Sequence, residues 1–367
     1  MAAVTADVLA DGVTAVMKEV ANGTAEAKVL ATPAHVEYLL HLADNALVLG
    51  QRNAEWCGHG PVLEEDIAMA NISVDLIGQA RMLYQHISTL APTLATAPGS
   101  ALADHASAAL DRPMPEATSL RAVQSCAGRI GAAALSPEGA NFSRGGPVLS
   151  KSGEAKNCRS PITEDTLAYF RNAPGFRNFT LLELPHSVTG DGDASGARDY
   201  AVTLVRNFLY SALMVLRWDA LRQSTDPQLA AISERSLKEA RYHLRHSRDW
   251  LVRLGDGTPE SHAKTQAAWD HLLPYTLEFW TEFAIENEIS AMGIGIATAR
   301  LQTDWQALVN SAAIEATLTL PGAGTVAISV AKAASLPQGK HGIHSAHLEP
   351  LLAEMQSLAR QHPGATW

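Results

Sequence analysis

The sequence has few cysteines, few basic residues and no long apolar run, and each shortage excludes a class of protein. Its three cysteines, Cys57, Cys126 and Cys158, form no C-x-x-C pair, so neither a zinc-site spacing nor a disulfide framework is present. The formal net charge of −10 disfavours nucleic-acid binding, which needs a basic surface that displaces counterions. A membrane span needs about 20 consecutive apolar residues, and the chain contains no such run, so we expect no membrane partner.

The N-terminal segment lacks the features of a targeting signal. It reads MAAVTADVLADGVTAVMKEV, which is acidic, contains no arginine and has no basic start followed by an apolar block. This composition argues against a secretory signal and against a mitochondrial presequence. Together with the unpaired cysteines, it predicts a protein of the reducing cytoplasm.

What the sequence has in abundance is helical periodicity. Hydrophobic residues make up 47% of the chain, enough for a sizeable core. Apolar residues recur at intervals of three and four, the pattern of amphipathic helices. The predicted helices are 33–52, 62–90, 198–222, 226–254, 262–288, 302–318 and 346–361. Strand patterns are scarce, with TLLEL at 180–184 as the one extended candidate, so the sequence predicts an all-α fold.

Three segments interrupt the helical pattern. Residues 92–160 are rich in Ala, Ser, Gly and Pro and contain one aromatic residue, Phe142, so they bury little apolar area to offset their ordering entropy. They are predicted to be mostly loop or disorder, and residues 321–342 a long loop. Residues 1–31 are predicted to be a flexible extension. The remainder, 32–367, is predicted to be a single domain interrupted by the insertion at 92–160.

Long helices with acidic residues at core-facing positions predict a ferritin-like four-helix bundle with extra C-terminal helices. In such bundles, two helices each give one glutamate to a pair of irons and two each give Glu-x-x-His, because residues i and i+3 share a face. The six corresponding positions here are Asp44, Asp75, Gly78, Ser211, Ala240 and His243. Only Asp44, Asp75 and His243 are metal-ligand types. The sequence therefore predicts helices that have lost their metal.

The three surviving polar residues also have a structural interpretation. An unpaired buried carboxylate is costly, so inward-facing Asp44 and Asp75 are expected to accept hydrogen bonds or to pair with a cation. A lone His243 is more often a satisfied structural residue than a ligand. Glu239 does not replace the missing glutamate, because it is one residue and about 100° away from the face of Ala240.

A basic stripe runs along the helix at 226–254, on an otherwise acidic protein. Its members are Arg235, Lys238, Arg241, Arg245 and Arg248. The stripe is either a solvated face or a contact for an acidic partner or for the phosphates of a nucleotide-bearing substrate.

A loop at Trp56, Cys57 and His59 suggests a catalytic thiol. No base can be assigned to the thiol from the sequence, so packing is the preferred interpretation of Trp56 and Cys57.

Several long segments resemble one family. They are LADNALVLGQRNAEWCGHGPVLEEDIAMANISVDLIGQAR (42–81), EDTLAYFRNAPGFRNFTLLELP (164–185), RNFLYSALMVLRWDAL, DPQLAAISERSLKEARYHLRHSRDWLVRLGDGT and the closing HGIHSAHLEPLLAEMQSLARQHPGATW. They are similar to the non-catalytic, ferritin-like structural subunits of bacterial ring-1,2-phenylacetyl-CoA epoxidases. Residues 92–160 and the first thirty or so are expected to have no counterpart in this family, as an insertion or a faulty gene model.

The resemblance implies a partnership. A related catalytic subunit would carry the di-iron site and insert oxygen into the ring of phenylacetyl-CoA, and other small subunits would complete the complex. A reductase would supply electrons from NADPH through FAD and an iron–sulfur cluster. The chain itself would hold no cofactor and would support the catalytic subunit.

Two other functions stay open from the sequence. A self-sufficient di-iron oxygenase would use the reduced set Asp44, Asp75 and His243, and the number of ligands disfavours it. A stand-alone helical protein that binds coenzyme A thioesters would use the basic residues Lys238, Arg241, Arg245 and Arg248.

Overall fold

A computed structural model describes residues 32–95, 162–189, 198–320 and 336–365, with the side chains of 91–95 left out. The predicted extension at 1–31, nearly all of the predicted insertion at 92–160 and most of the predicted loop at 321–342 lie outside these ranges. The α-helices in the described ranges are α1 (Pro33–Ala54), α2 (Leu63–Ala95), α3 (Glu164–Tyr169), α4 (Tyr200–Leu221), α5 (Pro227–Gly255), α6 (Pro259–Leu272), α7 (Ala284–Ala291), α8 (Gln302–Glu315) and α9 (Leu348–Gln361).

Local sequence explains where the main helices begin. Thr32 caps α1 by accepting a hydrogen bond from the backbone N–H of His35, and a proline follows it at the first helical position. Asp199 caps α4 and Asp226 caps α5 in the same way. Three acidic residues occupy the first turn of α2, where the helix dipole favours negative charge.

Helices α1, α2, α4 and α5 form a four-helix bundle. The hairpins α1–α2 and α4–α5 are its two closely packed pairs. They meet through polar side chains: Asn53 of α1 and Asn207 of α4 exchange amide hydrogen bonds of 2.8 and 2.9 Å. On the other side, Gln79 of α2 donates to Glu239 of α5 at 2.9 Å. The predicted all-α bundle is therefore confirmed.

The C-terminal helices pack around this bundle. Helix α6 lies against α4, where the rings of Trp269 and Phe208 are 6.4 Å apart, and α7 lies against α1. Gln356 of α9 donates to the backbone carbonyls of Ala168 and Arg171, which ties the last helix to α3 and the turn after it. The extra C-terminal helices thus complete one hydrophobic core with the bundle.

Two of the predicted elements were wrong. The helix expected at 262–288 is broken into α6, a 3₁₀ helix at Leu273–Trp280 and α7. Pro274 explains the break, because its ring clashes with a preceding carbonyl and it has no N–H to donate. The segment 180–184, the one candidate for extended structure, begins with a 3₁₀ turn at Thr180–Leu182. The N–H of Thr180 donates to the side chain of Glu278, not to a neighbouring strand.

Candidate functional site

Asp44 points into the bundle as predicted, and its carboxylate forms an ion pair with the side chain of Arg171. Both terminal nitrogens of Arg171 face it, with Nη1 3.0 Å from Oδ2. Tyr84 donates its hydroxyl to Oδ1 at 2.5 Å, and the backbone N–H of Arg177 donates to Oδ2 at 2.8 Å. Burial, with the adjacent Asp44 charge, raises the pKa of Tyr84 far above its usual range, so its hydroxyl stays protonated and donates. Asp44 therefore has the surroundings of a structural ion pair.

Asp75 lies at the edge of the bundle, so its predicted inward orientation was wrong, although it has the hydrogen bond that was expected for it. Its side chain is 38% exposed at the edge between α2 and α5, where it lies 3.0 Å from Nε2 of the buried His243. At Gly78, one helical turn later, an added Cβ would meet nothing within 4 Å. The positions of Asp75 and Gly78 on α2 therefore border solvent, whereas the neighbouring positions Leu76 and Gln79 are buried in the bundle.

Ser211 and Ala240 are buried on α4 and α5, as expected for the ligand positions of a di-iron bundle, which we call the di-iron template. A methyl group cannot bind a metal, and neither residue supplies the carboxylate that the template requires. Asp44 lies in the cluster with Arg171, and Asp75 lies with His243. The six positions therefore do not fit a di-iron centre. Glu239 accepts a hydrogen bond from Gln79 and does not join His243 in a ligand pair.

A buried charge network that the sequence did not predict joins α1, α4 and α7 to the C-terminal segment. Arg217 Nη2 lies 3.1 Å from Glu286 Oε1, and Lys340 Nζ lies 3.8 Å from Glu286 Oε2. Arg217 also contacts Nε2 of His41 at 3.1 Å. Burial and the Arg217 charge hold the pKa of His41 well below its usual range, so the ring is neutral and accepts that hydrogen bond. Apolar periodicity carries no signal for such a network.

The members of the basic stripe differ in whether they form ion pairs within this chain. Three of its five members lie within ion-pair distance of a carboxylate, and the pairs are Arg235–Glu239, Arg241–Asp219 and Arg248–Glu315. Arg245 lies over the ring of Tyr242 at 5.7 Å, and Lys238 is exposed. The pairs favour a solvated face for those three arginines. Lys238 and Arg245 remain the stronger candidates for an acidic partner or a phosphate.

The loop between α1 and α2 does not form a thiol site. His59 Nδ1 contacts the backbone carbonyl of Cys57 at 3.1 Å, and the cysteine side chain is exposed. Packing was therefore the wrong interpretation of Cys57, because the turn directs it to solvent. It was correct for Trp56, which is buried and donates its indole N–H to Thr203 at 2.9 Å.

The outward side of α2 carries an apolar surface that the sequence alone did not locate. We define the α2 outer face as Leu63, Ile67, Val74 and Ile77, whose exposed fractions range from 37% to 72%. Their spacing of four, seven and three residues aligns them on one side of the helix. Clustered exposed apolar residues mark interaction surfaces.

Comparison with known proteins identifies a family and a bacterial relative. The model of the phenylacetic acid catabolic protein family matches residues 17–107 and 151–367. The C subunit of 1,2-phenylacetyl-CoA epoxidase from Escherichia coli (strain K12) is 35% identical over 330 residues, which cover 90% of this chain and 98% of that protein. In the described part of the chain, no helix combines the length and apolar character needed to cross a bilayer.

The family match corrects the predicted limits of the insertion and of the N-terminal extension. Residues 17–31, 92–107 and 151–160 have counterparts in the family, and only 108–150 and the first sixteen residues fall outside the match. The prediction failed at these borders because a low aromatic content marks a weakly packing segment and does not mark where relatedness ends. The match covers most of the sequence on both sides of the gap. The chain belongs to the phenylacetic acid catabolic protein family.

Proposed function

We propose that the chain is the non-catalytic structural subunit of a phenylacetyl-CoA 1,2-epoxidase complex in aerobic phenylacetate degradation. The observation that carries this proposal is the state of the six template positions. Asp44 is neutralised by Arg171, Ala240 has no ligand atom, and Asp75 lies at the solvent edge. A chain with these residues depends on another subunit for oxygen activation.

The partner in this proposal is a related catalytic subunit that carries the di-iron centre. The α2 outer face is the surface offered to it, because a helix with a row of exposed apolar residues suits the packing of one bundle against another. The proposal also includes other small subunits and a reductase with NADPH, FAD and an iron–sulfur cluster. Phenylacetyl-CoA then binds to the complex as a whole, and this chain itself holds no redox cofactor.

The alternative of a self-sufficient oxygenase has less support, because its three candidate ligands lie in two separate clusters. The alternative of a coenzyme A thioester-binding protein rests on Lys238 and Arg245 alone. Either alternative requires an activity or an affinity of the isolated chain, so both can be separated from the structural role by one set of measurements.

The test is reconstitution with the catalytic subunit and reductase of the same organism. We expect the two bundles to co-purify, and epoxidation of phenylacetyl-CoA to require both. The double variant I67E/V74E should stay folded and lose the complex, because it places two charges in an apolar interface. The control I314E changes an equally exposed apolar residue on α8 and should leave the complex intact.

Two results would overturn the proposal. One is a catalytic subunit that is fully active and soluble without this chain. The other is NADPH-dependent oxidation of phenylacetyl-CoA by this chain with the reductase alone, which would support a self-sufficient oxygenase.

A further inference from the structure

Two histidines and one aspartate from three helices converge at one end of the bundle, and none of them belongs to the di-iron template. His35 lies in the first turn of α1, His86 in the C-terminal half of α2, and Asp226 immediately before α5. Nε2 of His35 is 3.0 Å from Oδ2 of Asp226, and Nε2 of His86 is 2.5 Å from the same oxygen. The candidate ligand atoms all lie within 4.8 Å of one another.

His35 makes the cluster more than a set of hydrogen bonds. Its side chain is fully buried. Among the described residues Nδ1 has no hydrogen-bond partner, and Nε2 faces Oδ2 of Asp226 at 3.0 Å. The single oxygen Oδ2 thus faces the Nε2 atoms of two histidines. A cation bound among the three atoms would accept a lone pair from each of them.

Asp226 divides its two oxygens between two tasks. Oδ1 accepts hydrogen bonds from the backbone N–H groups of Gln228 and Leu229 at 2.9 and 3.2 Å, which caps α5. This arrangement directs Oδ2 towards both histidines. The cap therefore orients the carboxylate as a ligand in the way that outer-shell hydrogen bonds orient metal ligands in general.

We propose that Nε2 of His35, Nε2 of His86 and Oδ2 of Asp226 bind one divalent ion of the zinc class. Two imidazoles and one carboxylate suit zinc and its transition-metal neighbours, whereas magnesium and calcium require oxygen ligands. With bonds of about 2.0–2.1 Å in tetrahedral geometry, the ligand atoms would lie about 3.3 Å apart. The observed separations of 2.5 and 3.0 Å then require small outward movements of the rings.

The ion would join the start of α1 to the C-terminal half of α2 and to the start of α5. Its three protein ligands would leave one coordination position open for a water molecule, whereas structural zinc sites are usually closed by four protein ligands. Because these helix ends are far apart in the sequence, the ion would cross-link the folded chain and favour it over the unfolded one. This inference is independent of the proposed subunit role, since it concerns the isolated chain and uses none of the residues of the α2 outer face.

The test uses the full-length chain, stripped with a chelator, reloaded with Zn²⁺ and passed through a desalting column. We expect one zinc per chain by elemental analysis and a raised melting temperature. The variants H35Q, H86Q and D226N should each bind zinc at least about 10-fold more weakly. D226N keeps an oxygen that can cap α5, which separates loss of the ligand charge from loss of the cap. The control is H243Q, which alters another buried histidine that contacts an aspartate but belongs to no cluster of three candidate ligands among the described residues.

A second readout does not depend on the folding of any ligand variant. Co²⁺ added to the stripped wild-type chain and to H243Q should produce the visible absorption of a low-symmetry cobalt site with nitrogen ligands. A wild-type chain that retains no zinc and shows no such absorption would overturn the proposal and leave the three residues as a helix cap. Zinc binding that survives unchanged in folded H86Q and D226N would overturn it as well.

Discussion

Arg171 presents both terminal nitrogens of its guanidinium to the carboxylate of Asp44, and the pair is buried between α1 and the turn that follows α3. The same guanidinium lies over the ring of Phe176 at 4.3 Å. A buried carboxylate without its counter-charge destabilises the fold. Removal of one member of the pair should therefore lower the free energy of unfolding.

The variant R171M should destabilise the chain by about 3–5 kcal/mol in urea unfolding, because it leaves Asp44 buried without its counter-charge. Adding D44N to R171M should recover part of that loss. The control R81M removes an exposed partner of Glu164 and should cost less than about 1 kcal/mol. Equal losses in R171M and R81M would contradict the assignment of a buried ion pair.

Glu278 should make stability fall between mildly acidic and neutral pH. Burial raises the pKa of its carboxyl to about 7 from 4.5, although the backbone N–H groups of Lys340 and Thr180 donate to it. Between these values Glu278 holds a proton in the folded chain that it has lost in the unfolded chain, so its contribution to the free energy of unfolding decreases as the pH rises. The effect of the full shift is on the order of 3 kcal/mol.

The variant E278Q has no carboxyl to titrate and should lack this decrease. The measurement is urea unfolding of both proteins at about pH 5 and about pH 8. The control E260Q changes an exposed glutamate whose pKa is lowered by Lys264, so the decrease in this window should persist. Identical pH dependence in E278Q and the wild type would exclude Glu278 as its source.

Two helical glycines should respond to alanine in opposite directions. At Gly78 an added Cβ meets nothing within 4 Å, so G78A should stabilise the chain by about 0.5–1 kcal/mol through helix propensity. At Gly255 the Cβ would lie 2.3 Å from the carbonyl oxygen of Ala316, so G255A should cost about 1–3 kcal/mol. Thermal unfolding of the two variants checks both signs, and a stabilised G255A would show that α5 and α8 are not packed this closely.

Charge reversal of Lys238 and Arg245, the two stripe residues that form no ion pair within the described part of the chain, should weaken assembly. We expect K238E/R245E to lower the affinity for the catalytic subunit, or to raise the KM of the complex for the thioester, with an effect that shrinks at high salt. The matched control R241E/R248E reverses two arginines that have acidic partners on this chain and should change less. If both variants behave as the wild type, the whole stripe is a solvated face.

Iron content tests the template positions directly. After expression in iron-rich medium, the purified chain should contain well under one iron, because Gly78, Ser211 and Ala240 supply no carboxylate or imidazole. Elemental analysis that measures iron and zinc in the same sample distinguishes iron at the di-iron positions from zinc at the site proposed for His35, His86 and Asp226. Two irons per chain would contradict the structural role.

The sequence was informative about single elements and about relatedness. Helical periodicity predicted α1, α2, α4, α5, α8 and α9 within a few residues, because the intervals of apolar residues follow from helix geometry alone. The burial of Asp44 could be predicted for the same reason, since its helical neighbours are apolar. The family was evident from long segments, and the absence of ligand types at Gly78 and Ala240 was visible as plain residue identity.

Only the tertiary structure decided which polar groups meet. Arg171 is 127 residues from Asp44, and Lys340 reaches Glu286 from the far C-terminal segment. The sequence alone determined which faces of the helices are apolar, because periodicity is a local property of the chain. The periodicity of apolar residues does not indicate which distant segments contact each other. The cluster of His35, His86 and Asp226 and the exposure of Asp75 therefore followed from how the helices pack, since packing sets the distances between their side chains.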